Sequence, residues 1–286
     1  MKKFYSFLSL VTLLFLFSIT SVTAQTTVKT ATSFDSNGTY NIGDEIDVIF
    51  WFSDDITVTG TPVVTLETGS SDAVVNYSSG SGTAYLTFTY TIAEGHSSSD
   101  LDYASTTALA NNGGSTMVDS NGNAPTLTLA SPGASGSLSA TKDFVVDGIK
   151  PTMTITASVG SDGFSSNDST LSLTFTSSET TTTFAAADIT VTNGSISSFS
   201  GSGTTYTATF TPSGQGAATI DVAAAKFKDA AGNDNSAATQ FNWTYDTTAP
   251  TVSGVDSTTD AGTYMAGDAI SIQVTFTEAV TVTGTP

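Results

Sequence analysis

Apolar side chains recur at every second position through much of this chain, and that period restricts what it can fold into. Leu171, Leu173 and Phe175 alternate with Ser172, Thr174 and Thr176, and Ile270, Ile272, Val274 and Phe276 alternate with Ser271, Gln273 and Thr275. Tyr206, Ala208 and Phe210 alternate with threonines. A period of two turns one face of a strand to a core and the other to water, and β-branched Thr suits the wet face. With only 12% charged residues and abundant Ser, Thr and Gly, the composition alone would suggest disorder. The spacing argues against it. No segment after the N-terminal leader has a helical period, so the class is all-β.

The N-terminus sets the compartment. Lys2 and Lys3 precede an almost unbroken apolar run from Phe4 to Ile19, and Val22, Thr23 and Ala24 supply small residues for cleavage. Residues 1–24 read as a secretory signal peptide, with Gln25 as the first mature residue. The run is short for a bilayer span and no positive cluster follows it. There is no Cys, which excludes a lipid-anchored lipoprotein and any disulfide. The net charge is -19, and loss of Lys2 and Lys3 takes it to -21 (-19 minus 2). Such a chain repels nucleic acid and anionic membranes, and it suits hard cations held by carboxylates.

Internal repetition sets the domain plan. The run TYNIGDEIDVIFWFSDDITVTGTP (Thr39–Pro62) returns without a gap as TYMAGDAISIQVTFTEAVTVTGTP (Thr263–Pro286), identical at about half of its positions. Two further echoes mark the joints. Asp147-Gly-Ile-Lys-Pro151 and Asp246-Thr-Thr-Ala-Pro250 each follow a strand-like run, and Pro makes each crossing a short, stiff linker. Upstream of each linker lies a D-x-x-G-N loop, Asp119 to Asn123 and Asp229 to Asn233. The expected domains are 26–147, 148–246 and 247–286. The third repeats the opening of the first and is expected to be truncated, so that Pro286 is not a natural terminus.

Here the residues resemble a known family. The run ITVTNGSISSFSGSGTTYTATFTPSGQGAATIDV (Ile189–Val222), then KDAAGNDNSAA and TYDTTAP, is similar to the bacterial Ig-like repeat domains of large exported surface adhesins and biofilm-associated proteins. The first and third units resemble a companion repeat that opens GD-I-V-F-SE-V-VTGTP. The resemblance implies tandem immunoglobulin-like (Greek-key) β-sandwich domains, with calcium ions at domain junctions. Such modules serve as stalks, spacers and binding tips alike, so the ligand, a surface glycan or protein, stays open. A monomeric string of domains is expected.

Catalytic chemistry has little support. His96 is the only histidine and lies in a turn-like polar stretch, so it reads as an exposed loop residue rather than part of a Ser-His-Asp site with Asp100 or Asp102. One His and no Cys make a zinc site unsupported. Asp100 with Asp102, and Asp54 with Asp55, are paired carboxylates, but glycoside hydrolysis needs a sugar-sized cleft that compact sandwiches seldom offer. The aromatic run Phe50-Trp51-Phe52 reads as core filling rather than as a sugar-stacking platform.

Calcium is the better chemical expectation. The proposed ligands are Asp119, Asn123 and Asp147 at the first joint and Asp229, Asn233 and Asp246 at the second, on the expectation that each linker Asp lies at the same end of its sandwich as the preceding loop. Asp44 and its repeat partner Asp268 are weaker candidates. The competing reading is turn chemistry, since Asp, Asn and Gly also build tight loops. The function expected is a non-enzymatic stalk of a secreted or cell-surface protein. The alternative is an accessory module of a secreted, carbohydrate-active enzyme.

Overall fold

A computed structural model describes residues 24–285; the leader expected at residues 1–24 lies outside them but for Ala24. Two compact units meet after Asp147. Among the described residues the structure is β throughout, apart from one 3-10 turn at Ala186–Asp188. No helix there is long and apolar enough to cross a membrane.

The first unit contains β1 (Val28–Thr32), β2 (Gly38–Asn41), β3 (Glu45–Thr59), β4 (Val63–Leu66), β5 (Ala73–Ser79), β6 (Thr83–Thr91), β7 (Ser97–Ser98), β8 (Leu109–Ala110), β9 (Thr116–Asp119) and β10 (Phe144–Asp147). One sheet runs β1-β3-β6-β5-β4-β8, with β9 added to the far half of β3, and a smaller sheet runs β2-β10-β7. Strand β3 is the spine. Its inward residues Ile46, Val48, Phe50 and Phe52 are buried against Leu86, Phe88, Tyr103 and Phe144. Phe50 meets Phe88 edge-to-face at 5.6 Å, a favoured aromatic geometry.

The aromatic run at the centre of β3 splits by parity. Phe50 and Phe52 are core, but Trp51 is 43% exposed and stacks on Tyr85, its partner across β6. Core filling is therefore right for two of the three rings and wrong for Trp51. Just beyond it the pairing with β6 jumps from Trp51↔Tyr85 to Ile56↔Thr83. The surplus residues Ser53, Asp54 and Asp55 form a bulge, which bends β3 and lets its last residues pair with β9.

The second unit contains β11 (Met153–Ala157), β12 (Phe164–Ser166), β13 (Leu171–Thr181), β14 (Ile189–Thr192), β15 (Gly194–Pro212), β16 (Gly216–Val222), β17 (Phe241–Tyr245), β18 (Val252–Ser257) and β19 (Ile272–Phe276). Sheet β11-β13-β15 faces sheet β12-β17-β16-β14. Leu171, Leu173, Phe175, Tyr206, Ala208 and Phe210 come from one sheet, and Ala218, Ile220, Val222, Phe241 and Trp243 from the other. These are the alternating residues of the sequence, so the wet threonines lie outside and the core between the layers. Seven strands in two layers around one core form an Ig-like β-sandwich.

Strands β18 and β19 form a separate antiparallel pair that repeats β1 with β3 in detail. Val252↔Phe276 reproduces Val28↔Phe52, and the same bulge follows each. The flanking bonds recur too, Ser53 N–H to Thr27 O and Thr277 N–H to Thr251 O, both at 2.9 Å. In β3 the inward face is covered. In the copy, Ile270, Ile272, Val274 and Phe276 are 37–63% exposed, because the pair has no facing layer among the described residues.

Candidate functional site

The two D-x-x-G-N loops are built alike. Asp119 Oδ1 accepts from the backbone N–H of Asn121 at 2.9 Å and of Asn123 at 2.8 Å, and Oδ2 from the Thr26 hydroxyl at 3.1 Å. Asp229 Oδ1 accepts from the N–H of Gly232 at 2.6 Å and of Asn233 at 2.8 Å, and Oδ2 from the Asn233 side-chain amide at 2.9 Å. The Asp carboxylate thus closes its own turn, and the glycine supplies the positive φ the reversal needs, 81° at Gly122 and 105° at Gly232. Those hydrogen bonds, foremost from the Asn123 backbone, hold the Asp119 carboxyl below its ordinary range against the opposing effect of burial.

The linker aspartates lie elsewhere. Asp119 sits beside Thr26 and opposite Ile56, at the end of the first unit where the chain enters. Asp147 closes β10 opposite Asn41 and Ser97, at the other end. Glu45 and Ile56 pair with Thr91 and Thr83 on β6, so eight positions of β6 separate these ends, about 27 Å at strand rise. The second unit repeats this. Asp229 bridges Thr181, and the Ser236 N–H in the same loop region reaches the Pro151 carbonyl, near the start of the unit. Asp246 lies beyond β17, where its N–H donates to Ser166 O and its Oδ1 accepts from the Gln215 amide at 3.0 Å. The expected trios Asp119–Asn123–Asp147 and Asp229–Asn233–Asp246 therefore do not assemble. A single strand separates each loop from its linker, and one strand pass carries the chain to the opposite end.

The second loop gains a carboxylate that sequence reasoning missed. The Thr181↔Asp229 bridge brings the end of β13 against the loop, so that oxygens of Glu179 and Asp229 lie within 4.8 Å of each other. Glu179 sits 50 residues upstream, on the inward parity of Leu171, Leu173 and Phe175 in β13, and a carboxylate in that register is the signal that could have found it. Asp229 and Asn233 are 3% exposed. No comparable acidic grouping surrounds Asp119 among the described residues, and Asn123 there is exposed. Asp44 and Asp268 cap matching turns, each accepting from a backbone N–H three residues earlier, at Asn41 and Met265.

The remaining sequence candidates have structural partners. Asp102 is buried and accepts four hydrogen bonds, from Tyr103 N, Leu138 N, Gly133 N and the Ser139 hydroxyl. Asp100 stays at the surface, its carboxyl pushed up by desolvation and by the charges of Asp143 and Asp102. His96 is half-buried rather than exposed. Its Nδ1 accepts from the Ala93 N–H at 3.3 Å and lies 2.9 Å from the Tyr90 hydroxyl, against which its ring also stacks. Burial pushes the Tyr90 hydroxyl well above its ordinary pKa, so it stays protonated and donates. The loop histidine is a tie between a turn and the core.

Residues 147–245 match the bacterial Ig-like domain. The matched stretch runs from the last residue of β10 to the last of β17, covering both sheets of the second unit's sandwich. No curated protein matches the chain. Among solved structures, a crystal structure of Dpr2 Ig1-Ig2 in complex with DIP-Theta Ig1-Ig3 aligns over 73% of this chain and 94% of that one, at 8% identity and a TM-score of 0.20.

Proposed function

We propose that this chain is a non-catalytic spacer from an exported bacterial surface protein, built of Ig-like domains in series at 26–147 and 148–246, with a third beginning at 247. The observation that carries the reading is the match of residues 147–245 to a bacterial Ig-like domain immediately after a unit with its own closed core. Domains with separate cores joined by a short linker hold a distal part of a protein away from its anchor. The signal-peptide reading adds export, so the secreted protein begins at or within a residue or two of Gln25. N-terminal sequencing that finds Met1 retained on membrane-bound protein would overturn that.

Calcium is the proposed stiffening ion, now centred on the second domain's loop. Glu179 and Asp229 are like charges held close in a strongly acidic chain, an arrangement a divalent cation relieves. Asn233 adds an amide oxygen, and backbone carbonyls and water would complete the six to eight oxygens calcium takes. Three of the Asp229 acceptor positions already close the turn, so the ion would use what remains of a carboxylate's roughly four lone-pair sites. Asp119, Asn123 and Asp246 have turn or strand-end roles within their own units. Calorimetry and small-angle scattering of the secreted chain, with millimolar calcium or with chelator, test the proposal. An unchanged melting temperature and an unchanged maximum dimension would remove calcium from it.

A further inference from the structure

The geometry points to a binding platform for an uncharged sugar on the outer face of the first unit, formed by Trp51 and Tyr85. Both rings stand on the wet face of the large sheet, 43% and 46% exposed, paired directly across β3 and β6. Their planes lie within 14° and their centroids 5.9 Å apart. Elsewhere on this face the outward-parity positions are Thr83, Thr87, Thr89 and Thr91 on β6 and Glu45, Asp47, the buried Ile49 and Ser53 on β3. The internal repeat shows that a strand of this shape does not need an aromatic there. Its copy carries Thr275 at the position of Trp51, in the same register and beside the same bulge, with Gly254 where Trp51 has Thr30. Trp243 uses its indole N–H on Ser166, whereas that of Trp51 meets no acceptor among the described residues.

Beside the rings is an open groove of about 500 Å³ whose lining includes Lys29, Trp51, Ser53, Asp54, Asp55 and Ala84. The β3 bulge places its polar residues along one rim. Asp54 is fixed there, with Oδ1 accepting from the Asp55 N–H at 2.9 Å and Oδ2 from the Ser120 hydroxyl at 2.7 Å. A matching ligand has a flat apolar face for the rings and a ring of hydroxyl donors for the carboxylates. A pyranose has both, with axial C–H groups on its faces and hydroxyls round its edge. A net charge of -21 after leader removal (-19 minus 2) disfavours uronic acids, nucleotides and phosphosugars, whose negative charge would meet Asp54 and Asp55. The proposal adds a ligand class to the spacer reading and depends neither on calcium nor on the linkers.

Isothermal calorimetry on the full secreted chain tests it, with cellohexaose, xylohexaose and chitohexaose as neutral probes and an oligogalacturonate as the anionic one. We expect saturable binding of at least one neutral probe with a Kd of about 10⁻⁴ to 10⁻³ M, as suits an open groove. Trp51→Thr copies the repeat's own residue and should leave the first unit's melting cooperative while weakening binding by about tenfold or more, as should Tyr85→Thr. Chelator should change nothing, which separates this site from the calcium proposal. Failure of all three neutral probes at about 10 mM, full binding by Trp51→Thr, or preference for the galacturonate would each overturn the assignment.

Discussion

The buried carboxylate of Asp102 is the most exacting test of how the first unit is held together. Its four hydrogen bonds, at 2.7–3.2 Å, reach the adjacent Tyr103 N–H and three donors at Gly133, Leu138 and Ser139. The last three belong to a long segment without strands between β9 and β10. Tyr103 pins the same segment through its hydroxyl to Ala130 O at 2.7 Å, and the Ala31 N–H donates to Gly136 O at 2.9 Å. Hydrogen bonds to a charged group contribute roughly 1.5–3 kcal/mol each, and unpaired buried donors cost about 1–3 kcal/mol. Water can reach some of the donors once the segment loosens, so the sum is not additive. We expect Asp102→Ala to cost about 3–5 kcal/mol, the range for a broken buried polar network. Asp102→Asn keeps one oxygen but presents an N–H to the Gly133 N–H, and should cost about 1–3 kcal/mol. For a domain of this size, 1 kcal/mol shifts the melting temperature by about 4 °C, so Asp102→Ala should lower the first unit's transition by about 12–20 °C. The assay is calorimetry on the whole chain, with Trp51→Thr as the background so that fluorescence of the buried Trp243 reports the second unit alone. A shift below about 4 °C in Asp102→Ala, or an equal shift in both units, would refute the reasoning.

Three further outcomes are expected. Because the Asp119 carboxyl is lowered by its hydrogen bonds, its stabilisation is fully present above the ordinary value of 3.8 and is lost as pH falls through the lowered one. Asp119→Asn should therefore flatten the acid limb of the first unit's melting curve, and an unchanged limb would contradict that hydrogen-bonding account. His96→Ala should cost about 1–2 kcal/mol by denaturant titration, since the buried Tyr90 hydroxyl loses its acceptor; a cost below about 0.5 kcal/mol would return His96 to an ordinary surface role. If calcium binds at Glu179 and Asp229 with a Kd of about 1 mM, 10 mM calcium stabilises the second unit by about 1.4 kcal/mol. Magnesium should do so poorly, Glu179→Gln should abolish the effect, and a calcium response that survives Glu179→Gln would move the site elsewhere.

The architecture was legible because it is written at short range. Alternation in 171–176 and 206–210 names the inward residues of β13 and β15, and the repeat at Thr263 reappears as a copied strand pair with the same register and bulge. What stayed hidden depends on pairs far apart in sequence. Nothing local in the run Phe50-Trp51-Phe52 says which ring faces water until β6 supplies Tyr85 as the neighbour of Trp51. Glu179 acquires meaning only when Thr181 bridges Asp229.

The ends of each domain are the instructive case, because the signal was present. Each D-x-x-G-N loop is followed by one strand-like run and then its linker, Phe144 to Val146 before Asp147 and Asn242 to Tyr245 before Asp246. A strand carries the chain across the sandwich, so an odd number of passes between two loops places them at opposite ends. Applied in both units, that parity puts Asp119 and Asp229 where the chain enters and Asp147 and Asp246 where it leaves. Similar oxygen-rich loops thus occupy corresponding places in successive domains, and each is closed first by hydrogen bonds within its own turn. Those bonds give each loop a closure of its own, and the calcium proposal turns on the negative charge that Glu179 adds beside Asp229. A side-by-side titration of Asp229→Asn and Glu179→Gln decides it. Asp229→Asn weakens the turn with or without calcium, whereas Glu179→Gln should remove the calcium response and leave the chelated protein as stable as before.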